Sequence, residues 1–561
     1  MVCLVATQGL ALLVPKLLSS ATEAILAQDA QAAVRAALEM IAVALVGGLT
    51  RIASRALIFN AGRRIEHELR TDLYDHLQRQ GPSFFDALPP GQVMSRVVND
   101  LTQVRLVLGP GLLNATNAAL AYGVVVPILF AKDWQLALAA LSPFPILVLL
   151  GRSFARRMYG LSRTAQDRLG TLSAKVQESL SGMMTVRAYR QEDFERTRFS
   201  ELNESYLEAN VALARLRGIM FPMMGVVGSL GSIIVLGMSG SRIAAGTMSV
   251  GDYVEINAYL LVLTWPTIAL GWIISIIQQG KAAMDRLNHI FLAQPSLVDG
   301  DGEPAEGPGR LEARKLSFRY SEDAPPALSE VDFTVEPGEL VVVVGRTGAG
   351  KTTLLEVMAR LREVAPDSLF LDGVDVNALP LAAVRRRIGF APQDAFLFSR
   401  SLEDNVRFGR PESERDRVRQ TLEVASFDTE VSAFPDGLET MVGERGVTLS
   451  GGQRQRATLA RALLPDRPMV ILDDTLSAVD TETETRILDA LLAERGRRTI
   501  VMATHRLACA ERADRILVLE EGRIVEEGTE PELLAKNGVY ARMHKRQRRR
   551  EALEHADEVR A

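Results

Sequence analysis

The chain has 561 residues, with 64 Lys plus Arg against 69 Asp plus Glu, two cysteines and 47% hydrophobic residues. That length exceeds one ordinary soluble domain of roughly 100–200 residues, and a net charge of −5 gives no global electrostatic reason for a nucleic-acid partner. Cys3 and Cys509 alone cannot build a disulfide framework.

Apolar stretches long enough to cross about 30 Å of hydrocarbon recur near residues 1–19, 34–59, 107–131, 134–151, 216–244 and 254–278. Six spans are therefore expected. The first starts at Met1 with no basic segment before it, which argues against a cleavable signal ending near Ser19, Ser20 and Ala21 and for a true helix whose N-terminal residues are incomplete. Arg51 and Arg55 fall inside the second stretch. They imply that this helix runs on past the membrane into water. The long segments after the second and fourth spans carry Arg63, Arg64, Arg70, Arg79 and Arg96, and Arg152, Arg156, Arg157, Arg163 and Arg168. The positive-inside rule puts both in the cytosol, together with both termini. Polar or soft residues near the last two spans, Trp265, Glu255, Asn257, Met223 and Met224, are candidate cavity residues.

Residues 297–310 are rich in Gly, Pro and acids and read as a linker. The expected division is a membrane domain over 1–296, a second domain over 311–545 and a charged tail over 546–561 with its basic run Lys545, Arg546, Arg548, Arg549 and Arg550. That run reads as a solvated helix end, with phospholipid contact as the alternative.

In the second domain the buried-strand run Val341–Val344 leads into Gly345, Arg346, Thr347, Gly348, Ala349, Gly350, Lys351, Thr352 and Thr353, then a helical stretch. Strand, glycine loop and helix in this order form a phosphate-binding loop. Backbone N–H groups cradle the phosphates, Lys351 neutralises the β and γ oxygens and Thr352 ligates Mg²⁺, so ATP with Mg²⁺ is the expected ligand. A second apolar run, Pro468–Leu472, ends in Asp473, suited to holding the metal, and then Asp474.

Leu449, Ser450, Gly451, Gly452 and Gln453, upstream of Asp473, resemble the signature motif of ATP-binding cassette (ABC) proteins. The resemblance covers 311 to about 540 and extends to Tyr320, similar to the aromatic that stacks on adenine; Gln393, similar to the Q-loop glutamine beside the metal; Ser477–Asp480, similar to the D-loop; and His505, similar to the switch histidine. Phe84–Asp86, Gly91 and Ser95–Asp100, with Glu178–Leu180 and Thr185–Tyr189, resemble the intracellular loops of exporters of this superfamily. The resemblance implies a multidomain protein: an all-α six-helix transmembrane domain followed by an α/β P-loop ATPase domain, working in a membrane as one of two half-transporters. Its expected home is a bacterial inner membrane, with the ATPase domain cytosolic. The expected cargo is an amphipathic, drug-like or lipid-like small molecule.

Efficient members carry Glu where this chain has Asp474. The carboxylate then falls about 1 Å short of a water aligned on the γ-phosphorus. In paired exporters one chain often combines this Asp with an intact signature, while its partner has the Glu and an altered signature. A heterodimer is expected on that resemblance, ahead of a slow homodimer or an ATP sensor that moves no cargo.

Overall fold

The computed structural model describes residues 2–303, 307–443 and 446–558. It forms two compact units, one of Met1–Gln78 with Pro90–Ala293 and the other of Arg79–Pro89 with Gln294–Ala561.

Six helices of the first unit are long and apolar enough to cross a membrane: α1 (Val2–Leu26), α2 (Ala30–Gln78), α4 (Pro90–Lys132), α5 (Trp134–Ser181), α7 (Glu192–Ala244) and α8 (Val250–Phe291). Between them lie the short helices α3 (Pro82–Ala87) and α6 (Met183–Ala188). Five of the six run well beyond the apolar stretches. At about 1.5 Å per residue the 53 residues of α7 span about 80 Å, more than twice the hydrocarbon thickness. Charged, helix-favouring continuations such as Glu192–Arg198 leave the helix unbroken where the hydropathy signal stops.

Several charges in this unit are paired. Arg286 grips Asp100 through two hydrogen bonds of 2.9 and 2.5 Å, which gives the Ser95–Asp100 motif a structural anchor. Glu66 is flanked by Arg70 at 2.8 Å and Arg105 at 3.0 Å. Glu255 is buried and paired with Lys132 at 2.8 Å, so its polarity serves packing and it lines no cavity described below.

Segment Arg79–Pro89, assigned from sequence to the membrane domain, clusters with the second unit. Gly81 sits against Leu297, and the Ser83 and Ser296 hydroxyls are hydrogen-bonded at 2.9 Å. The expected linker is also partly docked, because the Gly300 and Gly302 N–H groups donate to the Leu379 and Ala378 carbonyls.

The second unit is built on a six-stranded sheet in the order β10-β9-β3-β8-β7-β6, formed by β3 (Leu340–Gly345), β6 (Ile388–Ala391), β7 (Met469–Asp473), β8 (Thr499–Ala503), β9 (Arg515–Glu520) and β10 (Arg523–Gly528). Its members β6, β7, β8, β3 and β9 run parallel. The run of four valines is explained by burial on both faces: Val341 and Val343 enter one hydrophobic core and Val342 and Val344 the other. A four-stranded antiparallel sheet has the order β2-β1-β4-β5, formed by β1 (Leu311–Phe318), β2 (Leu328–Val335), β4 (Leu369–Leu371) and β5 (Val374–Asp375). At the far end the helix Val539–Glu558 runs straight through the expected 545/546 boundary. Within it Arg548 pairs with Glu511 at 2.8 Å; side chains from Arg550 onward lie outside the described residues.

Cys509 is buried beside Glu484, and burial, reinforced by that carboxylate, pushes its thiol up to about 12. Since the thiolate is the nucleophile, the folded chain should leave Cys509 unalkylated by iodoacetamide at pH 8, with labelling appearing only on denaturation. Mass-spectrometric mapping checks this, and rapid native labelling would refute the burial.

Candidate nucleotide site

The loop after β3 closes on the helix α9 (Lys351–Met358) through Gly350, whose φ of 102° is left-handed and whose absent Cβ would meet the Ala327 carbonyl oxygen at 2.6 Å. The residue type is thus set by backbone conformation and by space together. Lys351 is buried, and its ammonium donates to the carbonyls of Gly345 at 2.9 Å and Arg346 at 3.2 Å. Burial lowers its pKa below the ordinary lysine range.

A cavity of about 290 Å³ is lined by Tyr320, Ala327, Thr347, Gly348, Gly350, Lys351, Thr352, Thr353, Gln393, Asp473, Asp474 and His505. Residues from five separate parts of the chain therefore converge as the motifs imply. Gly345 and Ala349 are buried in the loop's support, where they shape the backbone, and Arg346 is exposed outside the lining.

Asp473 ends β7, and burial pushes its carboxyl above the usual range, with the neighbouring Asp474 charge adding and a hydrogen bond from Thr352 opposing. Its Oδ2 is buried without a hydrogen-bond partner. An orphaned, buried carboxylate oxygen beside a threonine hydroxyl, with a second carboxylate next to it, fits a hard divalent cation with oxygen ligands. Thr352 and Asp473 would hold Mg²⁺ here, with Gln393 on the same wall.

Asp474 follows in a left-handed conformation, φ 45°, which aspartate tolerates better than most side chains. Its backbone N–H donates to the Ala503 carbonyl at 2.9 Å. Burial raises its carboxyl pKa, opposed by His505, whose backbone N–H donates to that carboxylate.

The signature residues lie elsewhere. Ser450 caps the helix α10 (Gly451–Leu463) in a reciprocal capping box, accepting from the Gln453 N–H while the Gln453 side chain accepts from the Ser450 N–H at 2.9 Å. Leu449 is buried in the core, so it offers a ligand only its backbone. None of Leu449–Gln453 lines the Lys351 cavity. Gly451 opens instead onto a second hollow of about 620 Å³ that shares only Gln393 with the first. Gln455, two residues past the motif, donates to the Ser477 hydroxyl at 2.8 Å and accepts from the Ala478 N–H at 2.9 Å, tying this helix to the D-loop. Asp480 caps the following helix, Thr481–Leu492.

Sequence reasoning missed Arg362. Its guanidinium lies 5.0 Å from the centre of the Tyr320 ring, pairs with Glu356 at 2.8 Å and also with Asp86 of α3. The Tyr320 hydroxyl reaches Thr353 at 2.9 Å. One arginine thus joins the expected adenine-stacking ring to the Phe84–Asp86 motif, a contact between residues 276 positions apart that no local pattern announces. Arg362→Ala should lower stability by about 1–2 kcal/mol, discounted for the half-exposed Asp86, and weaken nucleotide binding severalfold. Arg362→Lys should rescue only part, because an ammonium cannot serve two carboxylates and a ring face at once. Thermal unfolding with and without ATP measures both.

Comparison with known proteins gives the family of the chain. Residues 1–267 match the family described as ABC transporter transmembrane region and residues 328–477 the family described as ABC transporter. The chain is 34% identical over 493 residues to a probable multidrug resistance ABC transporter ATP-binding/permease protein of Bacillus subtilis, covering 87% of this chain and 84% of that one. It is 33% identical over 514 residues to an ATP-dependent lipid A-core flippase of Syntrophus aciditrophicus, covering 91% and 85%. A solved structure of a bacterial Atm1-family ABC exporter with ATP bound superposes with a TM-score of 0.80 at 26% identity over 97% of both chains. The chain therefore belongs to the ABC transporters, as an integral-membrane, exporter-type half-transporter with one transmembrane region and one ATP-binding domain.

Proposed function

We propose that this chain exports amphipathic small molecules, drug-like or lipid-like, as the weakly hydrolysing half of a heterodimer in a bacterial inner membrane, with its ATP-binding domain and both termini cytosolic. The relatives named for multidrug resistance and lipid flipping support the cargo class. ATP is cradled by Gly345–Thr353 with Tyr320 on its base, and Leu449–Gln453 complete the partner's site. Bound Mg²⁺ supplies charge neutralisation of the phosphates.

The observation that carries the asymmetry is Asp474 beside an intact signature. Its short side chain is held by the His505 backbone N–H, and a carboxylate about 1 Å short of its target costs on the order of 10²-fold in rate. A capped helix start at Ser450, outside the chain's own nucleotide cavity, is free to meet phosphate from another subunit. ATP favours the closed dimer, and hydrolysis at the partner's competent site reopens it.

The test is steady-state ATPase in lipid nanodiscs for the chain alone and co-purified with a half-transporter encoded beside it. Near-silence alone and activity in the pair support the proposal. Brisk hydrolysis by the lone chain makes it a homodimer instead, and nucleotide-driven conformational change without uphill transport in either form makes it a sensor.

A further inference from the structure

Two cavities in the membrane unit share a wall. One, of about 530 Å³, is mostly apolar and carries Tyr159, Met224, Trp272 and Arg217; the other, of about 290 Å³, carries Arg51 and Arg55. Asn114, Trp265 and Ala269 line both, so the Trp265 indole stands between them. Of the candidate cavity residues read from sequence, Trp265 and Met224 are here; Glu255, Asn257 and Met223 are not.

Glu66, Asp100, Lys132 and Arg242 are all ion-paired. Among the described residues Arg51, Arg55 and Arg217 make no ion pair, and no carboxylate lines either cavity. Other basic residues of this unit, Arg64 and Arg152 among them, also make no ion pair among the described residues; what sets the three arginines apart is that they line cavities. Three uncompensated cations in a concave, aromatic setting repel one another and any cationic guest.

Depth sharpens the chemistry. At about 1.5 Å per residue, Trp265 lies about 22 Å along α8 from Val250, Arg51 about 32 Å along α2 from Ala30, and Arg217 about 40 Å along α7 from Ala244. These three helix ends adjoin the short loops on one side of the unit. With roughly 30 Å of hydrocarbon, Trp265 falls within the apolar layer, Arg51 at its far edge and Arg217 about 10 Å beyond it. Arg51 and Arg55, expected from sequence to lie in water, line a cavity.

We infer that this chain's membrane cavity takes an anionic amphiphile, its phosphate or carboxylate head on Arg51, Arg55 and Arg217 and its apolar body along Trp265, Trp272 and Met224. This rests on the exporter reading and narrows its cargo. Guanidinium forks suit a phosphate or carboxylate bidentately, and the indole and thioether wall accepts an alkyl or aromatic body. The head comes either from a membrane lipid or from a water-soluble amphiphile; the recognising chemistry is the same.

The test uses the full chain in phosphatidylcholine nanodiscs, in a Trp134→Phe background so that Trp265 and Trp272 report. Bromine-tagged dodecyl chains with phosphate, trimethylammonium or maltoside heads serve as quenching probes. The phosphate probe should quench at roughly 10- to 100-fold lower concentration than the others. Joint Arg51→Gln, Arg55→Gln and Arg217→Gln should abolish that preference, whereas the three Arg→Lys changes should keep most of it. Equal quenching by all heads, preference for trimethylammonium, or a preference that survives the Gln variant overturns the inference. Added phosphatidylglycerol that displaces the phosphate probe assigns the head to a lipid, and failure to displace assigns it to a soluble amphiphile. ATP-driven transport of only the trimethylammonium probe would overturn the anion site and keep the exporter. Selective phosphate binding with no transport of any probe would do the reverse.

Discussion

Lys351→Ala is expected to abolish the thermal stabilisation of this chain by ATP while leaving the nucleotide-free protein folded. The buried ammonium donates to the Gly345 and Arg346 carbonyls, and burial disfavours its charge, opposed by Asp474 and Asp473. In the absence of phosphate it contributes little, so its removal should leave the nucleotide-free melting temperature unchanged or slightly raised. With a folded-state pKa below the unfolded one, the folded chain binds fewer protons as pH approaches the lysine range. Wild-type stability should therefore gain slightly with rising pH there, and the variant should lose that slope. With ATP the balance inverts. Charge-assisted hydrogen bonds to phosphate are worth about 1.5–3 kcal/mol each, so affinity should fall on the order of a hundredfold. At ATP a hundredfold above the wild-type dissociation constant, a stabilisation of about 2.7 kcal/mol should nearly vanish. Thermal unfolding against ATP concentration measures it, and an undiminished shift would remove Lys351 from the phosphate site.

Asp474→Glu should raise the ATPase rate of the lone chain on the order of 10²-fold if reach alone limits hydrolysis. The structure adds a counterweight. Residue 474 has φ 45°, and its carboxylate accepts from the His505 N–H, both of which suit the shorter acid. A modest loss of thermal stability should therefore accompany the gain in rate. A rate unchanged by the substitution would mean that Asp474 already serves as base, or that another step limits turnover. Single-turnover hydrolysis separates the two.

The phosphate loop, the Asp473–Asp474 pair, the signature and six apolar stretches were legible because each is a local pattern. A strand buried on both faces reads as Val341–Val344, a phosphate cradle needs glycine where φ is positive as at Gly350, and a capping box repeats over Ser450 and Gln453. Helix length was not legible, since charged extensions such as Glu192–Arg198 stay helical without any hydropathy signal. Nor were the boundaries: the C-terminal helix crosses the expected tail boundary, and Arg79–Pro89 joins the second unit through Leu297, Ser296 and Arg362.

By itself the sequence singled out the residues expected to bind phosphate and metal, because those roles depend on residue type at fixed short spacing. Only the tertiary structure decided which of them meet. It brought Tyr320, Lys351, Gln393, Asp473, Asp474 and His505 to one cavity and left Ser450 and Gly451 out of it. It gave Arg362 two carboxylates and a ring, and left Arg51, Arg55 and Arg217 without a carboxylate among the described residues. The physical reason is that pairing energy depends on distances of a few ångströms between residues hundreds of positions apart, which chain folding sets and local composition does not record.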